Sequence, residues 1–350
     1  MVKLKSKIRV GIIGYGVVGK KRRKFIDLNK KYNLVCISDV KYTRNFIRNK
    51  VHHYQDYNNF NLHTLDAVFI TLPNYLSAKV TKLFLRKKIH VFCEKPPARS
   101  SKELQSVIKI EKNNSKIKLK YGFNHRYHKS IILAKKLIDS NKFGSVINLR
   151  CVYGKSKIIT FNKSDWRSMN KYSGGGILLD QGIHLLDLII FFCGKFDQVK
   201  SFVTNNFWKH DVEDNAFALL RSSKKNIIAS LHSTATQWEH MFRFEIFLEK
   251  AMIELKGILS GSKSYGSEKL RIYLKDEFKT KKNDFVRSKY FFKVDNSWRD
   301  EINEFADIII NDNKILVGNS KNGLEVMNLL ERIYHSDKDW KNYKYKQKLS

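Results

Sequence analysis

Proline is almost absent from this sequence, with three residues in a chain of 350, and glycine is modest at 17. So few breakers leave no room for long Pro- or Gly-rich linkers. Cysteine is scarce too: Cys36, Cys93, Cys151 and Cys193 lie far apart, with no C-x-x-C pair among them. That scatter argues against a disulfide framework or a zinc site and suits reduced thiols in a cytoplasmic protein. Acidic residues number 33 against 67 basic ones, a formal net charge of +34. The lysines are spread along the whole chain, and neither an RNP motif nor a base-reading helix accompanies them, so no specific nucleic-acid partner is expected. The charge reads as compositional, with attraction of an anionic substrate as a secondary effect. One dense basic segment, Lys338 to Lys348, reads as a solvated tail over 336–350. Long clean apolar runs are also missing. Ile177 to Cys193 is interrupted by Asp180, Gln181, His184 and Asp187, so a membrane span is not expected. The basic start, Met1 to Lys7, leads into a short strand-like stretch rather than the apolar core of a secretion signal.

What is present is globular. Apolar residues make up 42% of the chain and aromatics 13%, enough at this length for two domains with separate cores. Ile8–Ile13, Leu34–Ser38, Ala67–Leu72, Ile89–Cys93 and Ile117–Tyr121 are short, mostly apolar runs of the kind that form strands buried on both faces. Helix-like stretches fall between them at Val17–Lys30, Leu76–Lys87 and Ser101–Asn113. This alternation predicts a doubly wound parallel sheet of Rossmann type over residues 6–124. The pattern then changes. A helix over Lys129–Ser140, a strand at Val146–Tyr153 and an apolar helix from Ile177 precede a strand-rich stretch, Val199–Phe292. Helices near Trp298–Ile310 and Ser320–Tyr334 close the pattern. Residues 125–335 therefore read as an α+β substrate-binding and oligomerisation domain with a large, mostly antiparallel open sheet. Trp238, Phe242, Phe244 and Phe247 fall in predicted strands, as core or interface.

The first strand runs into Gly14-Tyr15-Gly16-Val17-Val18-Gly19, a G-x-G-x-x-G turn that opens a helix. In such a turn the first glycine permits the tight bend and the second lets backbone amides reach a pyrophosphate. The third lets helix and strand pack closely, with the phosphates at the helix N-terminus. A second strand ends at Asp39, twenty residues past Gly19, where a carboxylate meets the adenosine ribose hydroxyls. An acid there repels a 2′-phosphate, so NAD is expected rather than NADP, although Lys41 and Arg44 lie nearby. Metal is not expected.

Further on come Thr71-Leu72-Pro73-Asn74, Cys93-Glu94-Lys95-Pro96, Gly122-Phe123-Asn124-His125-Arg126-Tyr127, Asp165-Trp166-Arg167 and the run Gly174 to His184. With the glycine turn, this set resembles the Gfo/Idh/MocA oxidoreductases, the glucose–fructose oxidoreductase and inositol dehydrogenase family, across about residues 6 to 335. The resemblance implies NAD(P)-linked oxidation of an alcohol carbon. It implies that Lys95 contacts both the nicotinamide ribose and the substrate hydroxyl, with Glu94, Thr71, Pro73 and Asn74 around the cofactor. Asp180 and His184 match the family's substrate-facing acid and histidine, and Asn124, Arg126, Trp166 and Arg167 its substrate-lining positions. Two departures stand out: Ser77 where a histidine often follows the Pro-Asn turn, and Pro97 after Pro96.

Elementary chemistry points the same way. Oxidising an alcohol requires a proton acceptor beside the hydroxyl. On a helix, Asp180 and His184 share one face, so the carboxylate is placed to orient an imidazole whose ordinary pKa of about 6.5 suits proton removal. The Lys95 ammonium would stabilise the alkoxide. Asp187 and the glycines Gly174 to Gly176 read as structural. The expected substrate is a sugar, and the phrases Gly122–Tyr127 and Gly174–His184 look similar to relatives acting on UDP-linked N-acetyl sugars. An inositol or free-aldose dehydrogenase and a non-catalytic NAD-binding regulator are the alternatives. A homodimer or homotetramer is expected, because an open sheet face is usually covered.

Overall fold

The computed structural model describes residues 7–156, 166–260, 264–274 and 286–340. Asp165 and most of the basic tail lie outside them. The chain divides into two compact units, Met1–Asn124 with Trp298–Leu324, and His125–Ser297 with Glu325–Ser350.

In the first unit the elements run β1 (Ile8–Ile13), α1 (Val17–Asp27), β2 (Tyr32–Ser38), β3 (Phe46–Arg48), β4 (Val51–Tyr54), β5 (Ala67–Ile70), α2 (Asn74–Arg86), β6 (His90–Glu94), α3 (Ser101–Lys112) and β7 (Leu119–Gly122). The sheet order is β3-β4-β2-β1-β5-β6-β7. All neighbours are parallel except the edge pair β3 and β4. Without that edge strand, this is the doubly wound order of dinucleotide-binding sheets. Every residue of β5 is buried, as a central strand covered on both faces requires. β3 and β4 had no counterpart among the expected strands, being only three and four residues long.

The second unit contains α4 (Lys129–Asp139), β8 (Val146–Gly154), α5 (Asn170–Ser173), α6 (Ile183–Cys193), β9 (Gln198–Thr204), β10 (Asn215–Ser222), β11 (Ile227–Thr234), β12 (Met241–Leu248), β13 (Ala251–Lys256), β14 (Glu268–Leu274) and β15 (Val286–Phe292). Eight strands order as β15-β14-β13-β12-β8-β11-β10-β9, antiparallel throughout except for β8 beside β11. Strict alternation marks one face as covered: in β10, Ala216, Ala218 and Leu220 are buried while Phe217, Leu219 and Arg221 are exposed. Phe242 and Phe244 are core, whereas Trp238 stands outside the strands and is almost fully exposed.

Two helices follow, α7 (Ser297–Ile310) and α8 (Ser320–Ser336). The sequence reading placed α7 with the second domain. It belongs instead to the first unit, where Ile302, Phe305 and Ala306 join Val10, Ile12, Phe69 and Phe92 in one core. An apolar stripe announces that a helix is buried; it does not say against which sheet. The helical run Asn170–Cys193 is long and apolar enough to cross a membrane by length and composition, but 83% of its most apolar window is buried inside the fold.

Candidate active site

The glycine turn is built as its spacing requires. Gly14 has φ of +88°, a left-handed conformation that excludes most side chains. A Cβ on Gly19 would come within 2.1 Å of the Gly14 carbonyl oxygen, so the helix seats against the strand only without one. A Cβ on Gly16 would meet nothing within 4 Å, which leaves open space where the turn faces a ligand. Helix α1 begins there with no side-chain cap and no acid in its first turn. Its N-terminal amides and dipole are thus available to an anion. Asp39, just past β2, accepts a hydrogen bond from the Tyr15 amide at 2.5 Å. One of its oxygens thereby pins the turn. Thr71, after β5, donates through its hydroxyl to the Gly14 carbonyl at 2.5 Å and through its amide to Ile13 at 2.8 Å. Ser77 is buried, its hydroxyl donating back to the Pro73 carbonyl at 3.3 Å.

Glu94 ends β6 and Lys95 follows it, both half-buried. The Glu94 carboxylate accepts from the Arg22 guanidinium at 2.6 Å. Arg22 was not among the expected site residues. It lies inside the run Lys20-Lys21-Arg22-Arg23-Lys24, which reads as a solvated face. Its spacing from Gly19 and Ile26, the other buried residues of α1, is the signal that marks it as inward-facing.

In the second unit Asp180 sits in a single π-helical turn, Leu178–Gly182, that opens directly into α6. Such π insertions recur at functional sites. The Asp180 carboxylate accepts from Lys155 at 3.1 Å. His184, in the first turn of α6, is buried and stacks on His125, with ring centroids 3.7 Å apart and planes 13° from parallel. The His125 Nε2 lies 3.2 Å from the Tyr153 hydroxyl. Burial pushes that phenol well above its usual range, so it stays protonated. Lys155, His125 and Tyr153 were not singled out beforehand, since they come from different elements and share no spacing.

The glycine run ahead of the π turn is structural. The Gly176 and Leu178 amides donate to the buried Glu213 carboxylate at 2.7 and 2.9 Å, and Tyr334 donates to the same carboxylate at 2.7 Å. A Cβ on Gly176 would lie 2.1 Å from the Glu213 carbonyl oxygen. Arg126, expected among the substrate-lining residues, is buried, and its guanidinium donates to Asp187 in a two-bond pair at 2.8 and 2.6 Å. Burial pushes the Asp187 carboxyl up and the Arg126 charge draws it back down, the balance of a structural ion pair. Asn124 is buried at the head of the 3₁₀ turn Asn124–Tyr127. Trp166 and Arg167 share a second such turn, the guanidinium 4.4 Å from the indole.

The first unit's sheet, glycine turn and Asp39 define a protein of the dinucleotide-binding α/β class. Two family models narrow this. An oxidoreductase family with an NAD-binding Rossmann fold matches residues 8–123, and the GFO/IDH/MocA C-terminal domain matches 131–254. The chain belongs to the GFO/IDH/MocA family. It is 27% identical over 184 residues to glucose-6-phosphate 3-dehydrogenase of Bacillus subtilis, covering 52% of each protein. It is 30% identical over 144 residues to inositol 2-dehydrogenase of Salmonella typhimurium, covering 39% of this chain and 43% of that protein. The match thus spans about half the length of these relatives. Among solved structures, the WlbA dehydrogenase from Bordetella pertussis in complex with NADH and UDP-GlcNAcA shares the fold. Its TM-score is 0.75 at 18% identity, over 94% of this chain and 97% of that one.

Proposed function

We propose that the protein is an NAD-dependent oxidoreductase that transfers a hydride between a sugar secondary alcohol and nicotinamide. The observation that carries this reading is the shared edge of the first sheet. The glycine turn, the Thr71–Asn74 turn and the Glu94–Lys95 turn leave three neighbouring parallel strands, β1, β5 and β6, at their carboxyl ends. The open space at Gly16 and the uncapped, acid-free start of α1 fit a dinucleotide pyrophosphate. Gly14, Tyr15, Gly16, Val17, Val18 and Gly19 would hold it, with Asp39 on the adenosine ribose. Thr71, Pro73, Asn74, Glu94 and Lys95 would line the rest. The carboxylate at Asp39 favours NAD over NADP, because it repels a 2′-phosphate.

When bound, the nicotinamide supplies the hydride acceptor or donor. Lys95 is the proposed stabiliser of the alkoxide, through its ammonium. His184, stacked on His125, is the proposed proton acceptor, and Asp180, which accepts from Lys155, the proposed acid beside it. Asn124, Arg126, Trp166 and Arg167 are the candidates for binding sugar hydroxyls. A cytoplasmic setting is part of the proposal: all four cysteines are free buried thiols, with burial pushing Cys36 and Cys93 up to about 12.

The sugar-phosphate and inositol dehydrogenase relatives support a polyhydroxylated substrate. The resemblance to a structure carrying UDP-GlcNAcA supports a nucleotide-linked amino sugar within that class. An inositol dehydrogenase is the second reading, supported by the inositol 2-dehydrogenase relative. The test is NADH formation by the full-length protein against inositol, free aldoses, sugar phosphates and UDP-linked sugars. Turnover with at least one is expected, with Lys95→Ala and His184→Ala each lowering kcat by about a hundredfold or more and NADH affinity nearly unchanged. Wild-type rates in both variants would refute the site.

A further inference from the structure

Arg22 has no exposed surface, and it shares that full burial with Lys120 and Glu301 of the same unit. Its Nε donates to Glu94 at 2.6 Å and an Nη donates to Glu301 of α7 at 2.7 Å. The guanidinium carbon lies 4.3 Å from both the Phe92 and the Trp298 ring centroids. Gly122, paired with Glu94 across β6 and β7, leaves the space this requires. A Cβ there would stand 2.9 Å from the Glu94 carboxylate and 3.0 Å from the Arg22 guanidinium.

Stability does not account for the arrangement. Burying charge carries a desolvation cost, and well-packed apolar residues in place of a buried ion pair are often as stable or more so. Among the described residues, the remaining Arg22 Nη and one Glu301 oxygen are buried without a hydrogen-bond partner, which adds to that cost. What the cluster does secure is geometry. Arg22 lies on α1, three residues past Gly19, so the helix that would receive the cofactor phosphates also grips the residue preceding Lys95.

We propose that Arg22 is a positioning residue for Lys95: braced by Glu301 of α7, it anchors the Glu94 carboxylate and so fixes the turn that presents the Lys95 ammonium at the cofactor edge of the sheet. The inference rests on the reading of Lys95 as the group that stabilises the alkoxide.

Its test has two arms. Trace acetylation of the full-length protein, read by mass spectrometry, reports the reactivity of Lys95 against the exposed Lys200 and Lys250 as internal standards. Arg22→Met is expected to change the Lys95 rate about threefold or more, with the standards unmoved. In turnover, Arg22→Met is expected to lower kcat about a hundredfold, as a misplaced group does, with KM for NAD nearly unchanged. The loss should vanish in a Lys95→Met background, since a residue acting through Lys95 has nothing left to position. A folded Arg22→Met protein with wild-type Lys95 labelling, or losses that multiply in the double variant, would overturn the proposal. Should Arg22→Met not fold, Arg22→Gln removes the guanidinium that joins Glu94 to Glu301 while keeping a polar side chain, and both measurements apply to it. Absence of turnover in the wild type on every sugar would refute the functional reading, whereas the labelling arm still decides the role of Arg22.

Discussion

Glu301 shows how one residue's environment sets a whole-protein property. Burial pushes its carboxyl from 4.5 up to about 7, against the pull of Arg22 and Lys120 and with a further push from Glu94. Two carboxylates share the Arg22 charge, so a proton on Glu301 relieves the excess. Because the folded state binds that proton more tightly than the unfolded chain, its stabilising contribution is full below about 4.5 and lost as pH rises through about 7. Urea unfolding should therefore give a stability that falls between about pH 5 and about pH 8, by at most about 1.4 kcal/mol per unit from this group. Glu301→Gln should flatten that slope; an unchanged slope would show that the proton sits elsewhere. At this scale the sequence was partly legible. The place of Asp39 just past β2 was legible because its distance from Gly19 is dictated by one helix and one strand. Arg22 was not, because a run of five basic side chains hides the single one whose angle on α1 points inward. The ion pair of Arg126 was hidden for a related reason: the motif supplies a guanidinium, but only the fold supplies Asp187 as its partner.

At the scale of elements, the β1–α1 turn concentrates the strictest requirements. Replacing Gly19 by alanine forces a Cβ against the backbone oxygen of Gly14, an atom with no rotamer to escape into. Gly19→Ala should cost about 1–3 kcal/mol of stability, as overpacking does, and abolish NADH binding measured by fluorescence titration. Binding at wild-type affinity would mean that α1 does not need its close seat. The long buried strands and the helices between them were readable from periodicity to within a few residues. β3 and β4 were not, since Phe46-Ile47-Arg48 and Val51-His52-His53-Tyr54 are short and partly polar, whereas the equally short β5 is wholly apolar. Asp180 and His184 were expected on one regular helix. The π turn between them changes the local angular step, which a four-residue spacing cannot reveal.

At the scale of the molecule, the second unit's sheet leaves apolar side chains on its outer face. Phe202, Phe217, Leu219 and Ile228 are each at least half exposed, and Phe202 and Phe217 are paired across β9 and β10. Apolar surface of this kind marks an interaction site, and we propose that a symmetric dimer or tetramer covers it. Light scattering should give a dimer or tetramer mass, and Phe217→Lys with Leu219→Lys should reduce it to the monomer while NADH binding persists. A monomeric wild type would remove this proposal.

The first unit's discontinuity has its own consequence for how the protein is made. Phe69 and Phe92 are synthesised early, yet Phe305, which packs edge-on against both rings, leaves the ribosome some two hundred residues later. The nucleotide-binding half is therefore completed only after the intervening strands of the second unit have been made. Until then Phe69 and Phe92 lack the cover that Phe305 gives them, and exposed apolar surface of that kind is prone to aggregate.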